Sequence, residues 1–233
     1  MNDALQEALS VGSCFDARKV VLTGSGVGYA AVLAGAPVFS EQCDIFFGAE
    51  VMAQADFNYF NNVAAMGIGE PNTPLVVVAT EQADDPDAAR TLEMVAQAGA
   101  NSLLLCAAAQ SAQAPLARSA LCLGLDEAAP DFLPRAYLAL TLALVCAGYR
   151  IARVRGTVSE LELQRVRQAL LDYTAAMSGC LEAAQAAAQD FAQRCGQRDR
   201  FDYIADAEAR AAAHLLGTVG ARTLGYQYAV NDS

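Results

Sequence analysis

The stretch VVLTGSGVGYAA at 20–31 constrains the fold of this chain more than any other, because a continuous apolar run enters a glycine-rich turn and leaves it as a helix. Uninterrupted Val-Val-Leu suits a strand covered on both faces, as in a parallel sheet, and the glycines let backbone amides approach a ligand closely. A second unit of the same kind, LVVVATEQADDPDAARTLEMVAQAG at 75–99, places an acidic loop between strand and helix. In a parallel sheet both loops fall at one edge, where ligands of such folds bind.

Further strands are expected at 46–52, 102–108 and 121–125, and helices at 2–10, from 28 into the late thirties, at 57–63, 86–98 and 133–149. Asp84 or Asp85 can cap the helix at 86, Pro86 suits its first turn and Gly99 ends it. The alternation gives an α/β fold: a three-layer αβα sandwich with a parallel, flavodoxin-like sheet over 1–150. Residues 151–199 read as a helical connector, two long helices broken near Ser178 and Gly179. Residues 200–233 repeat the opening order of strand, turn and Ala-rich helix, as the start of an incomplete second α/β unit.

Twenty-six acidic against 15 basic residues give a formal charge of -11, which argues against a nucleic-acid partner. The longest apolar run, 136–148, is short of the roughly 20 residues of a membrane span, so no membrane partner is expected. Seven scattered cysteines without a CxxC pair read as reduced thiols of a cytoplasmic protein. With a single histidine, His214, no metal site and no cofactor is expected. The apolar faces of 133–149 and 158–195 exceed what one domain covers, which predicts a homo-oligomer.

The order of elements resembles the sugar isomerase (SIS) domain family, over most of 15–150 with a fainter echo at 200–233. The family's first loop, approximately GxGxSY, is matched by GSGVGY at 24–29, and its SEF-aromatic element by ADFNYF at 55–60. Its second loop, SxSGxT, corresponds in spacing to TEQADD at 80–85. The resemblance implies a small sugar derivative held by Gly24, Ser25, Gly26, Val27 and Gly28 of the first loop and Thr80, Gln82 and Asp85 of the second. It also implies Glu127, in GLDEAAP, as the base of an aldose–ketose isomerase or deglycase, and His214 as a ring-opening or proton-shuttling group.

The chemistry of the loops departs from that pattern. Val27 and Gly28 stand at the first hydroxyl position, Gln82 replaces the central serine, and Glu81, Asp84, Asp85 and Asp87 gather at the helix start. One carboxylate about 5 Å from a unit negative charge costs about 1 to 3 kcal/mol at effective dielectrics between water and 20. These acids either cap the helix and face solvent or repel a phosphate. Three readings follow: a phosphosugar isomerase or deglycase, a noncatalytic sugar-derivative binder, and an NAD(P)-dependent oxidoreductase. The last rests on the GxGxxA spacing of 26–31, with Glu50 or Asp44 for the ribose hydroxyls. Each named residue also has a purely structural reading: Glu127 as a surface carboxylate, His214 as a packed helical side chain, Tyr29 under its loop, Arg135 paired with Asp131.

Overall fold

The computed structural model describes residues 2–44, 48–61, 74–195, 198, 200–206, 209–225 and 227–232. Five parallel strands lie in the order β2-β1-β3-β4-β5: β1 (Val20–Gly24), β2 (Ala49–Ala53), β3 (Leu75–Thr80), β4 (Asn101–Ala108) and β5 (Ser119–Leu125). The registers Gly24↔Ala53 and Gly24↔Ala79 bring the carboxyl ends of β1, β2 and β3 level. Every residue of β1 and β3 is buried, as their unbroken apolar runs require.

Alternate side chains divide the core. Val20, Leu22, Val77, Leu103 and Leu105 meet α1 (Asn2–Ala8), α2 (Val11–Asp16), α3 (Gly26–Gln42) and the long α5 (Phe132–Arg155). Val21, Val76, Val78 and Leu104 meet Ala88, Leu92 and Val95 of α4 (Pro86–Gln97) and Phe57 on the other face. The three-layer parallel sandwich is thus as expected. By length and composition α5 could cross a membrane, but Ala136, Leu140, Ala143, Leu144, Ala147 and Ile151 are fully buried, and that packing accounts for its apolar character.

Several local expectations are corrected. The first helix is two, because Ser10 caps a new start and its hydroxyl accepts the Ser13 N–H at 3.2 Å. The second strand is 49–53, with 46 and 47 outside the described residues. The helix expected at 57–63 is a short turn at Gln54–Asp56 continuing as π-helix at Phe57–Asn61, and 62–63 lie outside the described residues. Helix α5 runs on to Arg155, whose guanidinium donates to the carbonyls of Ala17 and Asp44, both at 2.9 Å.

The connector is one helix, α6 (Glu160–Cys195), rather than two. A single glycine costs only about 1 kcal/mol relative to alanine inside a helix, too little to break one of this length. Ser159 and Glu162 form a reciprocal cap at its start, the Glu162 carboxylate accepting the Ser159 N–H at 2.8 Å and the Ser159 hydroxyl accepting the Glu162 N–H at 3.3 Å. Beyond it, β6 (Arg200–Ala205), α7 (Arg210–Leu224) and β7 (Gln227–Asp232) form a two-stranded parallel βαβ unit whose last strand the sequence pattern did not reveal. Helix α7 packs on α3.

Burial pushes the thiols of Cys43 and Cys106 up to about 12 and about 11. Cys180 is exposed on α6, whereas Cys14, Cys43 and Cys106 are buried. In the native protein a chromogenic disulfide reagent at pH 8 is expected to modify Cys180 without denaturant and those three only after denaturant is added, because the thiolate is the reactive species. Rapid native modification of Cys14, Cys43 or Cys106, read by peptide mapping, contradicts this packing.

Candidate functional site

Level parallel strands place the two glycine- and acid-bearing loops side by side on one rim. In the first loop Gly26 adopts a left-handed backbone (φ 51°), and α3 starts there. Ser25 stands at the cap position but its hydroxyl does not cap the helix, so the first-turn amides of α3 need another acceptor. The Val27 side chain is buried in the core and offers the rim only its backbone.

The acceptor for Gly28 comes from the second loop. Glu81, directly after β3, has a side chain only 1% exposed, and its Oε2 accepts the Gly28 N–H at 3.2 Å. Its Oε1 lies 2.6 Å from Nη1 of Arg222 in the last turn of α7, a close charge pair whose direction departs from that of an aligned hydrogen bond. A side chain on Gly26 would point at this pair, 3.2 Å from Arg222 Nη2 and 3.3 Å from Glu81 Oε1.

The α4 N-terminus is filled in the same way. Asp85 caps it, Oδ1 accepting the N–H groups of Asp87 and Ala88 at 3.0 and 3.1 Å, while Oδ2 accepts the Thr80 hydroxyl at 2.7 Å. The Gln82 N–H donates to Thr80 Oγ1 at 3.3 Å, leaving the half-buried Gln82 side chain at the loop. Glu127, between β5 and α5, reaches the same loop and accepts the Ala83 N–H at 3.0 Å, and the Gln113 amide donates to Asp84 at 3.0 Å.

His214 of α7 stands edge-on to Tyr29 in the first turn of α3, ring centroids 5.1 Å apart at 80°. The rim therefore gathers the loop residues 24–28 and 80–85, Glu127 and, through Tyr29, His214. The plain pairing of Arg135 with Asp131 is also present, at 3.6 Å on the surface. Among the described residues, no three His, Cys, Asp or Glu side chains cluster closely enough for a metal ion.

Two residues of the rim, Glu81 in its cross-loop role and Arg222, are missing from the sequence reading. Glu81 was counted there with the helix-capping acids, and Arg222 carries no local signal, since its partner is 141 positions away. Asp85 was legible as a cap from the Asp-Pro that opens α4.

The strand order 2-1-3-4-5 is the flavodoxin-like one, distinct from the 3-2-1-4-5-6 order of dinucleotide folds. Glu50, a candidate for ribose hydroxyls, sits at the opposite, amino end of β2 and pairs with Lys19 at 2.8 Å. Asp44 precedes β2 at that same end.

The fold is that of the sugar isomerase domain. Three solved structures illustrate the likeness. A Salmonella typhimurium LT2 protein assigned as a sugar binding protein matches with a TM-score of 0.82 at 14% identity, over 100% of this chain and 68% of its own. The C-terminal domain of glucosamine-fructose-6-phosphate aminotransferase from Francisella tularensis gives 0.77 at 13%, over 99% and 66%. A protein of Clostridium difficile 630 assigned as a phosphosugar isomerase gives 0.74 at 15%, over 99% and 66%. The SIS-type chain here thus spans about two thirds of the length of each. No family model matches the sequence, and neither does any curated protein.

Proposed function

We propose that this protein binds a small carbohydrate derivative at the rim shared by loops 24–28 and 80–85. The observation that carries the reading is the meeting of these loops with Glu127, the two helix starts bound together through Glu81 and the second loop held by Glu127. Similarity of fold to proteins assigned to sugar binding and phosphosugar isomerisation supports the same class of ligand. Hydroxyl-rich ligands need several directional donors and acceptors, and Ser25, Gln82, Asp84 and Glu127 carry such groups at this rim.

A second reading is isomerase or deglycase chemistry on that ligand, favoured by the presence of Glu127 at the second loop. Moving a proton between adjacent carbons needs a carboxylate within hydrogen-bond reach of the C1 or C2 proton. Glu127 is exposed and would act as that base once it releases the Ala83 N–H, and His214 would serve ring opening. A homo-oligomer acting in the cytoplasm completes the proposal.

The test is a thermal-shift and calorimetry panel of hexoses, amino sugars, N-acetylated sugars and their phosphates. At least one carbohydrate is expected to bind saturably, and Gln82→Ala is expected to weaken it about tenfold, the effect of losing one good polar contact. Absence of any saturable carbohydrate across the panel rejects the proposal. Isomerisation followed by NMR in deuterated water, with Glu127→Gln as control, separates the catalytic from the noncatalytic reading.

A further inference from the structure

We infer that the Glu81 carboxylate is a built-in anion at the N-terminus of α3, so that the ligand taken at this rim is a neutral or cationic sugar derivative rather than a phosphate ester. The inference rests on the carbohydrate reading above and assigns the charge of its ligand.

Free first-turn amides and the positive end of the helix dipole draw an anion to a helix start. At α3 that place is held by a carboxylate from the chain itself, 3.2 Å from the Gly28 N–H. Burial to 1% exposure and the Arg222 guanidinium at 2.6 Å keep it there. The arginine is itself 38% exposed and is already turned to Glu81. At α4, Asp85 fills the equivalent position with two amide bonds and the Thr80 hydroxyl.

Both helix starts of the rim therefore carry negative charge from within. An incoming phosphate would find the Gly28, Asp87 and Ala88 amides engaged and the carboxylates repelling it. Groups left for a ligand are acceptors and neutral side chains: the second carboxylate oxygens of Asp84 and Glu127, the Gln82 side chain and the Ser25 hydroxyl. These suit sugar hydroxyls and a protonated amine.

Inorganic phosphate, glucose 6-phosphate, glucose and glucosamine are titrated into the full chain by calorimetry at constant ionic strength. The native protein is expected to give no saturable response to phosphate. Glu81→Ala, which empties the position and frees Arg222, is expected to bind phosphate at least about tenfold more tightly than the native protein, equivalent to about 1.4 kcal/mol. The double variant Glu81→Ala with Arg222→Met is expected to lose that gain. Glu81→Gln keeps the shape and removes only the charge, and serves in place of the alanine variant if circular dichroism shows the latter unfolded.

Saturable binding of phosphate or glucose 6-phosphate by the native protein overturns the inference. So does a folded Glu81 variant with no gain. If phosphate binding appears on removal of Glu81 while no neutral or amino sugar binds the native chain, the carbohydrate reading fails and the assignment of Glu81 stands.

Discussion

Gly28→Ala is expected to cost about 3 kcal/mol or more, the upper end of what forced overpacking does, and to leave little folded protein at 37 °C. A Cβ on Gly28 would lie 2.2 Å from the Ala79 carbonyl oxygen and 2.9 Å from its carbon. Both are backbone atoms of β3, a central strand with every residue buried and with ladder partners on each side, so neither can yield. Pushing α3 outward instead would break the Gly28 N–H bond to Glu81 and expose the core beneath Val27 and Ala31. Gly179→Ala supplies the opposite sign: nothing lies within 4 Å of the added methyl, and removing glycine from a helix interior stabilises by about 0.5 to 1 kcal/mol. Urea denaturation of both variants checks the pair. A loss below about 1 kcal/mol for Gly28→Ala would mean that α3 does not sit hard against β3.

That contact also explains which parts of the fold the sequence discloses. Strands β1, β3 and β4 are legible because both of their faces are covered, so the apolar run is unbroken. Helix α4 is legible because Asp85, Pro86 and Gly99 punctuate it. Strand β7, reading QYAVND, carries polar residues at its ends and the middle of the pattern is too short to stand out. Gly179 reads as a break but is carried by a long helix whose neighbouring turns are intact.

At the site, the glycine loop and the capping role of Asp85 are local and therefore visible. The bond from Glu81 to Gly28 spans 53 positions and the pair with Arg222 spans 141, and no local pattern encodes either. Four carboxylates near the start of one helix look alike in sequence, yet Asp85 caps that helix and Glu81 crosses to the other, while Glu127 reaches the same loop from beyond β5. Only the sheet order sorts them.

Substituting Leu170 and Tyr173 together by aspartate is expected to turn the proposed dimer into a monomer, weakening self-association by at least about a hundredfold, or about 2.7 kcal/mol. Helix α6 has no buried residue along its 36 positions, and Leu161, Tyr173, Leu181 and Phe191 are all more than half exposed. Its Leu163, Leu170, Met177, Ala184 and Phe191 recur at the heptad period, with Val166, Tyr173, Cys180 and Ala187 three positions on. The proposed homo-oligomer would cover this apolar surface, as exposed apolar stretches on this scale commonly serve as interfaces. A second copy running antiparallel about a dyad between Ser178 and Gly179 fits it. That register sets Leu170 against Ala187, Tyr173 against Ala184 and Val166 against Phe191, large beside small. In that register Met177 faces the Cys180 of the second copy, and the two copies of the exposed Cys180 lie about one helical turn apart along the seam, so a short bismaleimide is expected to link two chains through Cys180 and to fail in Cys180→Ser. Size-exclusion chromatography with light scattering reads the mass of each variant; a native chain that is monomeric at micromolar concentration, with no Cys180 cross-link, excludes this pairing.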